Sequence, residues 1–355
     1  MATVRKSVPG SNSIKAINLA LQGGGSHGAF TWGVLDALLE DGRLQTEAIS
    51  ATSAGSLNAV ALADGLRKGG KNPVDGARQA LTDLWRAVAD AGRLHPLQPP
   101  WLDAFMHGVQ QSAQTTWSPP HAWAAAMLQM FSPYQLNPLN LNPLRQIVQS
   151  QIDFEALRRD SPVKLFLSAT NVETGKIRVF SGPEIGVDAV LASACLPTLF
   201  QAVEIGGEHF WDGGYMGNPA IFPLIYESVA ADVLIVHVNP ILRRGVPRSS
   251  AEIANRVNEI SFNSSLMREM RAIAFVTGLI DRGKLQPEDA RRMRIHSIRC
   301  DELMAAQAVE SKIATAWPYL TELRDAGRQQ ACAWLDEHFA KVGVESSVDI
   351  RQEFL

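Results

Sequence analysis

The chain has 355 residues, 46% hydrophobic and 19% charged, the make-up of a globular protein with room for one large α/β domain with additions or for two smaller domains. A formal net charge of −3 and the lack of any long charge run argue against a nucleic-acid partner. Cys195, Cys300 and Cys332 are too widely spaced for a metal pattern, Met1 to Ser13 lacks the apolar core of a signal peptide, and no apolar run reaches bilayer length; free thiols in a cytoplasmic protein are expected.

Residues 1–15 read as a loose tail. Ile17 to Leu21 is a short apolar run that ends in the glycine-rich stretch Gly23 to Gly28. A helical pattern follows, with Ala29, Phe30, Gly33, Val34, Ala37 and Leu38 on one face. This is the order of a buried parallel strand, a loop and a helix. The unit then repeats. Ile49 to Thr52 is a second strand, and it breaks at Ser53-Ala54-Gly55-Ser56 into another helix. Helix continues to about Asp90, with Leu81, Leu84, Trp85 and Val88 at helical spacing.

From Gly92 to Pro143 the text changes to prolines and large apolar side chains, among them Trp101, Trp117 and Trp123, without period-two alternation. Short helices joined by proline turns are expected there, as an insertion over the edge of the sheet. The core resumes at Val163 to Leu167. Lys176 to Val179 alternates as a half-exposed strand, and a helix is expected over Val187 to Ala194. Ala202 to Ile205 and His209 to Trp211 flank Gly206-Gly207 as a hairpin, directly before Asp212-Gly213-Gly214. Val233 to Val238 reads as a buried parallel strand. Beyond Arg248 the pattern is mostly helical, with one strand near Arg294 to Ile298 and amphipathic helices from about Leu303 to Val342.

Two strand-loop-helix units side by side place two special loops at one edge of the sheet, where open α/β folds keep their chemistry. Glycines let backbone N–H groups converge on one point, and the following helix aims its positive end there, which suits an anion or a developing oxyanion. Ser53 stands where a strand stops and a small-residue helix begins, the position of a nucleophile elbow. A nucleophile beside an oxyanion cradle predicts acyl transfer.

With these residues in view, the chain resembles the patatin-like phospholipase family of serine lipid acyl hydrolases. The family carries a G-G-G-x-R/K-G loop, a G-x-S-x-G elbow and a later Asp-Gly-Gly or Asp-Gly-Ala. Here the matching stretches are Gly23 to Gly28, Ala51-Thr52-Ser53-Ala54-Gly55 and Asp212-Gly213-Gly214, and the likeness spans roughly Ile17 to Ile225. It implies a three-layer α/β/α hydrolase with a mostly parallel central sheet, a helical cap insertion and a helical C-terminal extension. The implied division is a tail at 1–15, a catalytic domain at 16–226 with its cap at about 92–143, and 227–355 as the remaining core strand and mostly helical extension. It implies a Ser53–Asp212 dyad, and an oxyanion hole from Gly23, Gly24, Gly25, Ser26, His27 and Gly28 with Ala54 after the nucleophile. Ala51, Gly55, Gly213 and Gly214 support the motifs. The implied substrate is a lipid or another carboxylic ester, reached without cofactor or metal, and peripheral contact with a membrane or lipid surface stays open.

Two positions depart from the family pattern. Ala51 replaces the first elbow glycine, a single added methyl that is expected to be tolerated. His27 replaces the basic residue of the loop, so the loop's own cation is missing unless the imidazole is charged; an arginine at this position is expected to be tolerated.

Other readings of the residues remain. A non-lipid esterase with a Ser-Asp-His triad would need a histidine after Asp212, and His237, His296 and His338 qualify by order. His237 sits in an apolar strand and is expected to be a hydrogen-bonded core residue. Gly23, Gly25 and Gly28 also satisfy G-x-G-x-x-G, the dinucleotide fingerprint, but the second strand ends in Ala51-Thr52-Ser53 without the acid that would hold a ribose; Glu47 precedes that strand. A binding or scaffold protein with a weakened site is a third class.

Overall fold

The computed structural model describes residues 14–92, 131–286, 290–307 and 309–355. Most of the expected cap insertion, and Trp101, Trp117 and Trp123 within it, lies outside these residues, as does the tail through Ser13.

In chain order the core begins with β1 (Lys15–Leu21), α1 (Gly28–Asp41), β2 (Leu44–Thr52), α2 (Ala54–Lys68) and α3 (Pro73–Ala91). After a single turn at Pro133–Leu136 come α4 (Pro143–Gln151), α5 (Phe154–Asp160), β3 (Lys164–Asn171), β4 (Ile177–Ser181), α6 (Val187–Ser193), β5 (Val203–Ile205) and β6 (Glu208–Asp212). The chain continues with α7 (Phe222–Glu227), β7 (Asp232–Val236), the 32-residue α8 (Ser250–Asp281), β8 (Arg294–Ile298), α9 (Asp301–Ala306), α10 (Trp317–His338) and α11 (Ile350–Phe354).

Local chemistry accounts for many of the boundaries. Gly42, at φ 71°, closes α1 in the left-handed conformation. Pro73 and Pro143 open α3 and α4 at positions where a missing N–H costs nothing. Ser249 and Glu252 form a reciprocal capping box at the start of α8. The glycines between β5 and β6, at φ 62° and 83°, make the two-residue hairpin that their sequence predicts.

The strands form one eight-stranded sheet. Its centre is parallel: β3 beside β2, β2 beside β1, β1 beside β7, and β7 beside β8. Side chains alternate across it. Ile17, Leu19 and Leu21 of β1 join the larger core under α1, α2, α3 and α10. Ala20 faces the second core with Val233 and Ile235, against Leu224 of α7 and Leu266 and Met270 of α8. The fold is therefore helix, sheet, helix, with α1 and α10 crossing closely: a Cβ on Gly33 would lie 1.8 Å from the Arg324 carbonyl oxygen, and one on Gly327 would lie 2.1 Å from that of Phe30.

The register at β3 positions the site. β4 runs antiparallel along β3 from Phe166 to Thr170. That stretch overlaps the partners of both β2 and β6, so β2 and β6 must share the other edge of β3. On that edge Thr52 of β2 pairs with Ser168, and Asp212 of the antiparallel β6 pairs with the next residue, Ala169. The two strands meet head-on, one ending just before Ser53 and the other ending in Asp212.

Candidate active site

Ser53 adopts φ 54° and ψ −122°, one of two positive-φ non-glycine residues among those described. Such a conformation costs about 1–3 kcal/mol and persists where its surroundings hold it. The Ser53 N–H donates to Ser193 Oγ at 2.9 Å, and Ser193 Oγ also pairs with Ser56 Oγ at 2.8 Å. The Ser53 carbonyl accepts from the N–H groups of Ser56 and Leu57, beginning α2. Thr52 Oγ1 donates to the Gly217 carbonyl at 2.6 Å. Gly55 has no room for a side chain, since a Cβ would lie 2.4 Å from the Leu21 carbonyl oxygen. Ala51 is fully buried in the larger core, its methyl accommodated at ordinary strand geometry.

The glycine loop is pressed between this elbow and the C-terminal part of the chain. A Cβ on Gly23 would meet Ser53 Cβ at 2.6 Å, one on Gly28 would meet Ala54 Cβ at 2.6 Å, and one on Gly25, at φ 59°, would meet the Lys312 carbonyl oxygen at 2.1 Å. Asparagines fasten the loop. Asn218 Oδ1 accepts the Gly23 N–H at 2.6 Å, Asn239 Nδ2 donates to the Gly23 carbonyl at 2.8 Å, and Asn58 Nδ2 donates to the Gly28 carbonyl at 2.9 Å. Trp85 Nε1 holds Asn58 Oδ1 in turn. The first N–H groups of a helix have no partner inside it. Those of Gly25, Ser26 and Ala54, together with that of Gly24, have no acceptor among the described residues. Among the described residues these four donors have no partner, and the glycine loop that carries three of them packs on Ser53 at Gly23.

Asp212 is fully buried. Its Oδ1 accepts the Gly214 N–H at 2.7 Å, and its main chain is tied to Cys195 and to Thr170 Oγ1. Burial pushes its carboxyl up to about 6, against the opposing pull of the Gly214 N–H, the Ser53 hydroxyl and the Lys312 charge. The Ser53 hydroxyl is thus near enough to favour the carboxylate, although Oδ2 lacks a well-aligned hydrogen bond in this state. Gly213 and Gly214 let the turn close: a Cβ would lie 2.1 Å from the Ser168 carbonyl oxygen or 2.3 Å from Phe262 Cε1, respectively. Such a carboxylate can take a proton near neutral pH.

The histidines that a triad would have drawn on do not join this pair. His237 is buried, but both ring nitrogens are unpaired, contrary to the hydrogen-bonded core residue expected; its ring stacks on Phe354, and burial, aided by Arg299, holds it down to about 3. His296 Nε2 pairs with Asp232 Oδ1 at 3.0 Å, at the opposite end of β7. His338 lies at the end of α10 against Trp334. His27 is buried, its Nε2 2.8 Å from Ser311 Oγ, and burial with the nearby Lys312 charge holds it at about 3, so the loop's own imidazole is neutral. An arginine there would put a second buried cation beside Lys312, which argues against the expected tolerance.

Ser193, Asn218, Asn239 and Lys312 carry no motif in the sequence. A polar residue inside a helix and isolated asparagines after strands are common, and nothing local marks them as neighbours of the glycine loop. Among the described residues no helix is long and apolar enough to cross a membrane.

The family model described as Patatin-like phospholipase matches residues 19–225. Among solved structures, VipD from Legionella pneumophila is similar at 15% identity and a TM-score of 0.40, the likeness covering 92% of this chain and 67% of VipD. No curated protein matches the sequence.

Proposed function

We propose, from the premise that this chain belongs to the patatin-like phospholipase family, that it hydrolyses carboxylic esters of lipids with Ser53 as nucleophile and Asp212 as base. The observation that carries this reading is the head-on meeting of β2 and β6, which puts a strained serine against a buried, basic carboxylate. Ser53 Oγ attacks the ester carbonyl as Asp212 takes its proton. The N–H groups of Gly24, Gly25, Ser26 and Ala54 hold the oxyanion. Collapse returns the proton to the departing alcohol and leaves an acyl-serine. Asp212 then deprotonates a water that attacks the acyl group; collapse breaks the bond to Ser53 Oγ, which takes the proton back from Asp212, and the fatty acid leaves.

A fluorophosphonate probe tests the assignment together with p-nitrophenyl esters of graded chain length and a phospholipid. Wild type is expected to be labelled on Ser53 and to cleave the esters. Ser53→Ala is expected to lose both label and hydrolysis, and labelling that persists in Ser53→Ala would refute the nucleophile.

A further inference from the structure

One lysine outside the matched segment is built into this site. Lys312 lies in the short helical turn Val309–Ile313, and its carbonyl oxygen occupies the space left by the missing Cβ of Gly25. Its ammonium is enclosed, although the residue as a whole is only half-buried. The Nζ donates to Asn239 Oδ1 at 2.9 Å and Asn258 Oδ1 at 2.7 Å, and it lies 5.2 Å from the centroid of the Phe262 ring. These partners are all neutral. A buried cation kept for stability usually faces a carboxylate. Glu259, the nearby acid on α8, is already paired with Arg243 and Arg256.

The contacts of Lys312 lead to the reacting centre. Asn239 accepts the Lys312 hydrogen bond at Oδ1 and donates from Nδ2 to the Gly23 carbonyl. In a trans peptide the N–H points opposite to the C=O, so fixing the Gly23 carbonyl fixes the direction of the Gly24 N–H. A charge at one end of such a chain also polarises the bonds along it. We propose that Lys312 is a positioning residue that completes the active site: through Asn239 it aims and polarises the glycine-loop donor at Gly24, and its charge supplies the positive potential that neutral His27 does not. The inference rests on the dyad reading above.

The groups facing Lys312 are Glu259 with its two arginines on the α8 side, His27 on the loop, and Asp212 across Phe262, with Cys195 and Tyr215 around Asp212. Burial pulls Lys312 down to about 8, while Glu259 and Asp212 oppose the shift. Its charge therefore disappears within an accessible pH range, and the site should lose oxyanion stabilisation there.

The experiment follows kcat/KM for a p-nitrophenyl ester, and the rate of fluorophosphonate labelling, from pH 5 to pH 10 in wild type, Lys312→Met and Lys312→Arg. Wild type is expected to show an acid limb near 6 from Asp212 and an alkaline limb near 8 from Lys312. Lys312→Met is expected to lose the alkaline limb, to be slower at neutral pH, and to move its acid limb upward by at most about one unit. Lys312→Arg is expected to keep the acid limb and to push the alkaline limb beyond pH 10. A Lys312→Met variant with both wild-type limbs overturns the proposal, whatever its rate. If Lys312→Met does not fold, the wild-type and Lys312→Arg profiles decide, and superimposable alkaline limbs overturn it equally. Loss of the dyad reading would show separately, as labelling that survives Ser53→Ala.

Discussion

Asp212→Asn separates the chemistry of the carboxylate from its cost. The side chain has an ordinary pKa of 3.8 and about 6 in the folded protein, so it binds protons more tightly folded than unfolded. A difference of about two units corresponds to about 3 kcal/mol. Because the folded value is raised, the favourable contribution is complete below pH 3.8 and is lost as pH rises through 6. Between pH 5 and pH 8 the wild type should lose about 1.4 kcal/mol from this group alone, nearly half of the total. Asparagine does not titrate. Its buried amide adds a fixed cost of about 1 kcal/mol if one N–H lacks an acceptor, and that cost cancels when the two pH values are compared. Urea unfolding of both proteins at pH 5 and pH 8 gives the four free energies required. Asp212→Asn should gain about 1.4 kcal/mol relative to wild type on going from pH 5 to pH 8, while kcat falls on the order of a thousandfold. A stability difference that does not change with pH would mean that Asp212 is not strained by burial, and the argument for its basicity would fall with it.

Other substitutions test the scaffold around the proposed dyad. Ser193→Ala leaves the Ser53 N–H buried without a partner and should cost about 1–3 kcal/mol in urea unfolding, together with a fall in kcat; stability equal to wild type would show that the elbow is held elsewhere. Gly23→Ala puts a methyl 2.6 Å from Ser53 Cβ and should abolish fluorophosphonate labelling at an overpacking cost of about 1–3 kcal/mol, so an alanine variant with normal labelling kinetics contradicts the close approach. His27→Arg should lower Tm and soluble yield by forcing a second cation beside Lys312, and a stable, active arginine variant would refute that crowding. His237→Leu removes two unpaired nitrogens from the core and should keep kcat within about threefold at equal or higher stability; a folded but inactive variant would restore the triad.

Much of the fold was legible because it is written locally. The apolar run at Ile17 to Leu21 became a parallel strand, as did the run at Val233 to Val238 as far as Val236, the Gly206-Gly207 pair made its hairpin, and a strand formed at Arg294 to Ile298 where one was expected. The second strand proved longer, beginning at Leu44, because its first half is only partly buried and carries no apolar run. Ser53 and Asp212 were individually visible as motif residues. What brings them together, the shared edge of β3, is a matter of register between segments far apart in the chain, and no local pattern encodes it. The same holds for Ser193, Asn239 and Lys312, whose roles arise from hydrogen bonds that close only in the folded molecule.

The pairing of β1 with β7 bears on how the protein is made. The glycine loop and the Ser53 elbow leave the ribosome early, yet β1 must wait for Asp232 to Val236 before both its edges are bonded, and the turn at Ser53 must wait for Ser193 and Asp212. Chains emerge at about 5–20 residues per second, so this interval lasts many seconds. During it an open, apolar strand edge stands ready for mispairing, which makes the nascent chain a natural client for chaperones. It also means that the Ser53 elbow is not set when it is made: the serine is present from the start, but the contacts that hold its backbone close only when Ser193 and the later strands arrive.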